Sequence, residues 1–108
     1  MATFDEVWSW LQDNLKPGQT IKNWSVIRGD LGRTVKVVCV CSGCIEVDPP
    51  KAKNIQVVSK QDFKKVWDVW SAYKSGELLR STIPEKTRYV TYILSILHYY
   101  EQEVTGNA

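Results

Sequence analysis

The chain is poor in the groups on which most enzyme and metal chemistry rests. It has one histidine, His98, one methionine and three cysteines, Cys39, Cys41 and Cys44, in 108 residues. A nucleophile, base and orienting group would need partners that the sequence gives no reason to place, and the carboxylates are scattered over helix faces and turns, so no catalytic residue is expected. Gly29-Asp30-Leu31-Gly32 lacks both the further glycine and the following Lys-Ser/Thr of a phosphate-binding loop. Cys41-Ser42-Gly43-Cys44 has the spacing of a zinc knuckle, but there is no second such pair to complete four ligands. The expectation is therefore no metal and no cofactor, with Cys39 and Cys41 as small apolar residues on one face of a strand and Cys44 opening the next.

No apolar run reaches the ~20 residues of a membrane span, and the start reads as a polar helix signal instead of a basic and then apolar leader. An odd number of cysteines in one tight cluster suits free thiols in a reducing compartment, so a cytoplasmic protein is expected and the Asn23-Trp24-Ser25 sequon carries no meaning. No internal repeat, low-complexity segment or long linker divides the chain. Residues 1–108 read as a single α+β domain, a size that buries one core.

Local signals give the order of elements. Thr3-x-x-Glu6 is a capping box, followed by Phe4, Val7, Trp8, Leu11 and Leu15 at helical spacing until Pro17-Gly18. Thr20 to Arg28 reads as a strand, with Gly29 to Gly32 as a tight connection. Thr34 to Cys41 and Ile45 to Val47, separated by Ser42-Gly43, read as a short-looped hairpin, and Ile55 to Val58 as a further strand. Ser59 then caps a helix whose apolar face, Phe63, Val66, Trp67, Trp70 and Tyr73, runs on to Gly76. Residues 77–83 suggest a short helix ended by Pro84, and residues 88–102 a last one. The whole is an antiparallel sheet of three to four strands, with an N-terminal helix and two to three C-terminal helices packed on it.

The last helix is apolar on two sides. Val90, Ile93, Leu94 and Leu97 form one stripe, and Tyr89, Tyr92, Ile96, Tyr99 and Tyr100 much of another. Only Thr91, Ser95, His98 and Gln102 make a narrow polar line between them. Either this helix lies at the centre of the domain, or its tyrosine side (Tyr89, Tyr92, Ile96, Tyr99) forms a homodimer interface.

What is plentiful is aromatic residues and local positive charge. Residues 51–90 carry nine Lys/Arg against four Asp/Glu, whereas residues 1–50 carry five against six. Residues 60–102 overlay a helix-turn-helix in which Lys86, Arg88 and Thr91 stand at the first turn of a recognition helix, with Lys74 and Arg80 placed for phosphate contacts. Nucleic acid is thus one expected partner. Five tryptophans give the alternative: a homodimeric interaction or small-ligand module whose aromatic pocket is lined by Trp10, Trp24 and Trp70.

The arrangement Phe63-x-x-Val66-Trp67-x-x-Trp70-x-x-Tyr73-x-x-Gly76, continuing to Arg80 and to Tyr92-Ile93-Leu94-Ser95-Ile96-Leu97-His98, resembles that of small uncharacterised bacterial proteins, including some encoded on mobile gene cassettes. The likeness is confined to the C-terminal half. It implies a prokaryotic or phage origin and an unassigned role, and it brings no site residue.

Overall fold

Thr3 starts the first helix as the sequence predicts. In the computed structural model, which describes residues 2–25, 29–49, 53–77 and 90–105, Thr3 Oγ1 accepts the Glu6 N–H at 3.2 Å and Glu6 Oε1 accepts the Thr3 N–H at 3.0 Å. Hydrogen bonds from Thr3 hold the Glu6 carboxyl below its ordinary range. Helix α1, Phe4–Asn14, buries the expected Phe4, Val7, Trp8 and Leu11.

Four strands follow in a plain meander, β1 (Thr20–Ser25), β2 (Gly29–Val40), β3 (Cys44–Asp48) and β4 (Gln56–Ser59), each antiparallel to the next. Gly29 to Gly32, expected as a connection, already belong to β2, and Ser25 pairs with Gly29. Val26 to Arg28 lie outside the described residues. The expected strand at Ile55 begins one residue later, leaving Ile55 48% exposed.

Two irregularities interrupt β2. Between Lys22 and Trp24 the register steps from Thr34 to Asp30, two residues of β1 against four of β2. Gly32 sits in that excess with φ +78°, a backbone conformation that costs a residue with a Cβ but not glycine. Farther on, Val37 pairs with Val47 and Cys39 with Glu46, so Val38 is an extra residue, a β-bulge.

The helices cover one face of the sheet. Ile21, Val35, Val37, Ile45, Val47 and Val58 point to it and are almost wholly buried, as the two-residue period of a half-covered sheet requires. Helix α2, Lys60–Trp67, lies beside β4, with Ser59 Oγ accepting the Asp62 N–H as its cap. The single helix expected to reach Gly76 is broken at Asp68-Val69. Val69 has φ −115° and ψ 10°, and its N–H turns to Val66, so Trp70–Ser75 forms a separate short helix, α3. The break re-aims Trp70 and Tyr73 into the core. Gly76, at φ +84°, ends α3 in the left-handed conformation expected of a C-terminal glycine.

Helix α4, Val90–Val104, settles the ambiguity of the two-sided apolar pattern. It runs along β1 with α1 and α2 against it, and every residue from Ile93 to Leu97 has no exposure. It is the central helix of the core. The expected short helix over 77–83 and the start of the last helix near Thr87 fall outside the described residues. No helix among the described residues is long and apolar enough to cross a membrane.

A candidate ligand site between the first strand and the last helix

The polar line of α4 faces β1. Ser95, fully buried, donates to the Thr91 carbonyl at 2.7 Å and accepts the Trp24 N–H at 3.0 Å. Trp24 pairs with Asp30 just past the register shift in β1–β2, and its amide finds its acceptor in Ser95. Asn23 Oδ1, also buried, stands 3.4 Å from the same hydroxyl.

One turn on, the His98 imidazole lies flat on the Trp24 indole, with centroids 4.1 Å apart and planes 5° from parallel. Trp70 and Tyr73 close around the other side of Trp24, at 5.8 and 6.1 Å. Partial burial lowers the His98 pKa below its ordinary 6.5, and the nearby Glu101 carboxylate opposes this only in part. The ring is therefore neutral at pH 7. Gln102 Nε2 stands 3.4 Å from His98 Nε2, an arrangement in which the amide donates to an unprotonated ring nitrogen.

These groups border a cavity of about 290 Å³, lined by Thr20, Ile21 and Lys22 of β1 and by Ser95, His98, Tyr99 and Gln102 of α4. A larger hollow of about 400 Å³ lies between α1 and the start of α2, lined by Phe4, Asp5, Lys60, Gln61, Lys64 and Lys65. Lys64 and Lys65 are engaged there by Asp68 and Asp62. Of these two, the smaller cavity has the stronger claim, since it gathers a neutral imidazole, an amide and a phenol over an apolar floor.

Trp10, Trp24 and Trp70, expected to line one pocket, do not gather in a single cluster among the described residues. Trp70 is 1% exposed, and Trp24 packs with it, while Trp10 belongs to a second cluster with Tyr99 and Tyr100 at 6.0 and 5.3 Å. Neither cavity is lined by any of the three indoles. The residues of the expected dimer surface lie partly inside the fold. Ile96 is completely buried, Tyr92 and Tyr99 pack on the core of their own chain, and Tyr89 lies outside the described residues.

Of the residues assigned to nucleic acid, Lys74 is engaged by Glu101 at 2.6 Å and lies 5.5 Å over the Trp70 ring. Thr91 is half-buried, and Arg80, Lys86 and Arg88 lie outside the described residues. From Val90 to Tyr100 the apolar residues of α4 pack on the fold, while Val104 at its end is 50% exposed.

The cysteines are not core residues. The extra Val38 reverses the alternation, so that Val40, which packs on the core, pairs with buried Ile45, and Cys39 pairs with Glu46 on the opposite face. All three thiols are half-exposed. Cys39 Sγ and Cys41 Sγ are 3.3 Å apart, and these two sulfurs and a Glu46 carboxylate oxygen all lie within 4.8 Å of one another. A hydrogen bond with Cys41 is the chief cause that raises the Cys39 pKa.

No family model matches this chain, and no curated protein and no solved structure matches it either. Function therefore rests on the geometry. Sequence reasoning named His98 and the polar line but missed their partner, Trp24, because stacking across seventy residues leaves no local signal. Glu46 was also missed, although the pairing register of a short hairpin points to it.

Proposed function

We propose that the protein binds a small molecule in the cavity between β1 and α4. The observation that carries this reading is the His98 imidazole, held flat on Trp24 at the edge of an open cavity of about 290 Å³. That volume is near the lower end of ordinary ligand pockets, ~300–1,000 Å³. Ile21 and the rings supply apolar contact, and the Gln102 amide, the Tyr99 phenol and the Thr20 hydroxyl supply hydrogen bonds. A neutral His98 stacked on Trp24 offers an aromatic surface, which favours a ring compound with polar edges, and Lys22 is the charged residue of the lining.

The role is binding, with no turnover assigned. The Ser95 hydroxyl is committed to the Thr91 carbonyl and the Trp24 amide, so it has no proton to give to a base.

The test is a fragment library read by chemical shifts of the Trp24 indole and the His98 ring, repeated with His98→Ala. Hits that move both signals and lose roughly tenfold or more in affinity in the variant support the reading, that loss being the scale of one good hydrogen bond to a charged or well-placed group. Hits that ignore the variant, or no hits, overturn it. Mixed-sequence duplex DNA at low and high salt is titrated alongside. Salt-sensitive binding that falls on reversing Arg80 and Arg88 would return the role to the basic stretch.

A further inference from the structure

We infer that the outer face of the β2–β3 hairpin is a binding site for a thiophilic divalent cation, zinc by ligand class, with Cys39, Cys41 and Glu46 as its ligands. The site is independent of the cavity between β1 and α4, because the bulge at Val38 turns it to the face that the helices do not cover.

Three observations carry this. The donor set is two thiol sulfurs and one carboxylate oxygen, the chemistry of zinc sites. The spacing fits as well. Two sulfurs on one tetrahedral ion stand ~3.8 Å apart when each Zn–S bond is ~2.3 Å. Cys39 and Cys41 Sγ, 3.3 Å apart, lie close to that value, and the Glu46 carboxylate oxygen is within 4.8 Å of both. A shift of a few tenths of an ångström in each half-exposed side chain closes the geometry.

The backbone beneath the site is also held before any ion arrives. Gln12 Nε2 donates to the Cys41 carbonyl at 2.6 Å, Trp8 Nε1 to the Ser42 carbonyl at 3.1 Å, and the Lys60 N–H to the Gly43 carbonyl at 2.9 Å. Cys41 N–H in turn bonds the Cys44 carbonyl at 2.9 Å. Helices α1 and α2 thus clamp the loop from the core side, and binding pays little ordering entropy.

Cys44 stands on the same face, since its neighbour Ile45 points to the core. Its sulfur lies outside the cluster formed by the three donors. The fourth position is therefore taken by water, as in sites with three protein ligands. Thiols bind metal as thiolates, so uptake of one zinc ion releases two protons to solvent, one from Cys39 and one from Cys41.

The test uses the full chain, reduced and stripped with chelator, titrated with Co²⁺ and then with Zn²⁺. The expected result is one Co²⁺ per chain, a sulfur-to-cobalt charge-transfer band, visible absorption of tetrahedral intensity, and displacement by Zn²⁺ with release of two protons. Cys39→Ser and Cys41→Ser are expected to abolish the band with unchanged far-UV circular dichroism. Glu46→Gln is expected to weaken Zn²⁺ binding by roughly tenfold or more, at least the loss seen when an outer partner of a ligand is removed. Cys44→Ser should leave the band intact. Absence of a thiolate band in the reduced protein overturns the inference, as does a band that survives Cys41→Ser or disappears with Cys44→Ser.

Discussion

Ser95→Ala tests the central junction of the fold. The Ser95 hydroxyl holds the Trp24 amide, at 3.0 Å, just past the register shift between β1 and β2. Alanine leaves that partly buried N–H without an acceptor, a loss of about 1–3 kcal/mol. It also removes the contact with Asn23 Oδ1, which is buried and 3.4 Å away. The Thr91 carbonyl loses little, because a helical carbonyl at that position already accepts a backbone N–H. Alanine returns up to ~0.5 kcal/mol through its better helix propensity. The balance is a destabilisation of about 1–2 kcal/mol. In urea this lowers the midpoint by about 1 M at an m-value of ~1–3 kcal/mol/M, and it lowers the melting temperature by about 5–10 °C. Hydrogen exchange supplies the local readout: the Trp24 amide should exchange at least roughly tenfold faster than in the parent, a factor that corresponds to 1.4 kcal/mol. Gln102→Ala, on the same line of α4 but exposed, is the control and should stay within about 0.5 kcal/mol. Equal stabilities of Ser95→Ala and the parent, with Trp24 exchange unchanged, would refute the assignment of this hydroxyl as the partner of the strand.

Three further outcomes follow from the same structure. Burial lowers the folded-state pKa of His98, so the unfolded chain takes up a proton first as the pH falls. Stability should be level above pH ~6.5, fall below it, and stop falling once the folded imidazole protonates; denaturation curves from pH 7.5 to 5 on the parent and on His98→Phe check this, and a slope that persists in the variant would assign the effect elsewhere. Thr3→Ala should destabilise by about 1 kcal/mol through loss of the capping box, measured in urea, and no change would deny the cap any role. Trp70 Nε1 is buried without a partner, so Trp70→Phe gives up volume worth about 1 kcal/mol but also removes an orphaned donor that costs about as much. Its stability should lie within about 1 kcal/mol of the parent, whereas Trp70→Ala should lose about 3–5 kcal/mol, and a Trp70→Phe as damaging as the alanine would show that the indole N–H matters.

Much of the architecture was legible in local signals. The Thr3-Glu6 box, the Ser59 cap, the glycine at position 76 and the Ser42-Gly43 loop each act through neighbours in sequence, and each element begins or ends there. The two-sided apolar pattern of the last helix was legible as well, and burial of Ile93 to Leu97 shows it to be the mark of a central helix. What failed was whatever depends on register. A continuous face from Phe63 to Tyr73 concealed the break at Val69, because Trp70 and Tyr73 remain buried on either side of a re-aimed turn. The Trp10–Trp24–Trp70 set did not hold together, because indoles on three elements were grouped by type, whereas packing sorted them into two clusters.

Both candidate sites arise from irregularities in one strand. Val35, Val37, Cys39 and Cys41 alternate in sequence, so a regular β2 would turn the cysteines inward with the valines as core residues. The single extra residue Val38 reverses everything after it and sets Cys39 opposite Glu46 on the uncovered face. At the other end, the excess of β2 around Gly32 shifts the register just before Trp24, whose amide bonds Ser95 and whose ring stacks on His98. A regular twelve-residue strand would satisfy the same backbone groups with neither arrangement. Bulges cost ladder hydrogen bonds and gain nothing in the core by themselves, which is why they gather beside functional groups in other sheets. Deleting Val38 removes the extra residue and leaves Val37 opposite Val47 and Cys39 opposite Glu46 in a regular ladder, so Cys39 and Cys41 should stay on the uncovered face, and Co²⁺ binding and thiol labelling should persist in the folded variant. Loss of Co²⁺ binding, or slowed labelling of both cysteines, in the folded deletion variant would mean that this pairing register does not decide which way they face.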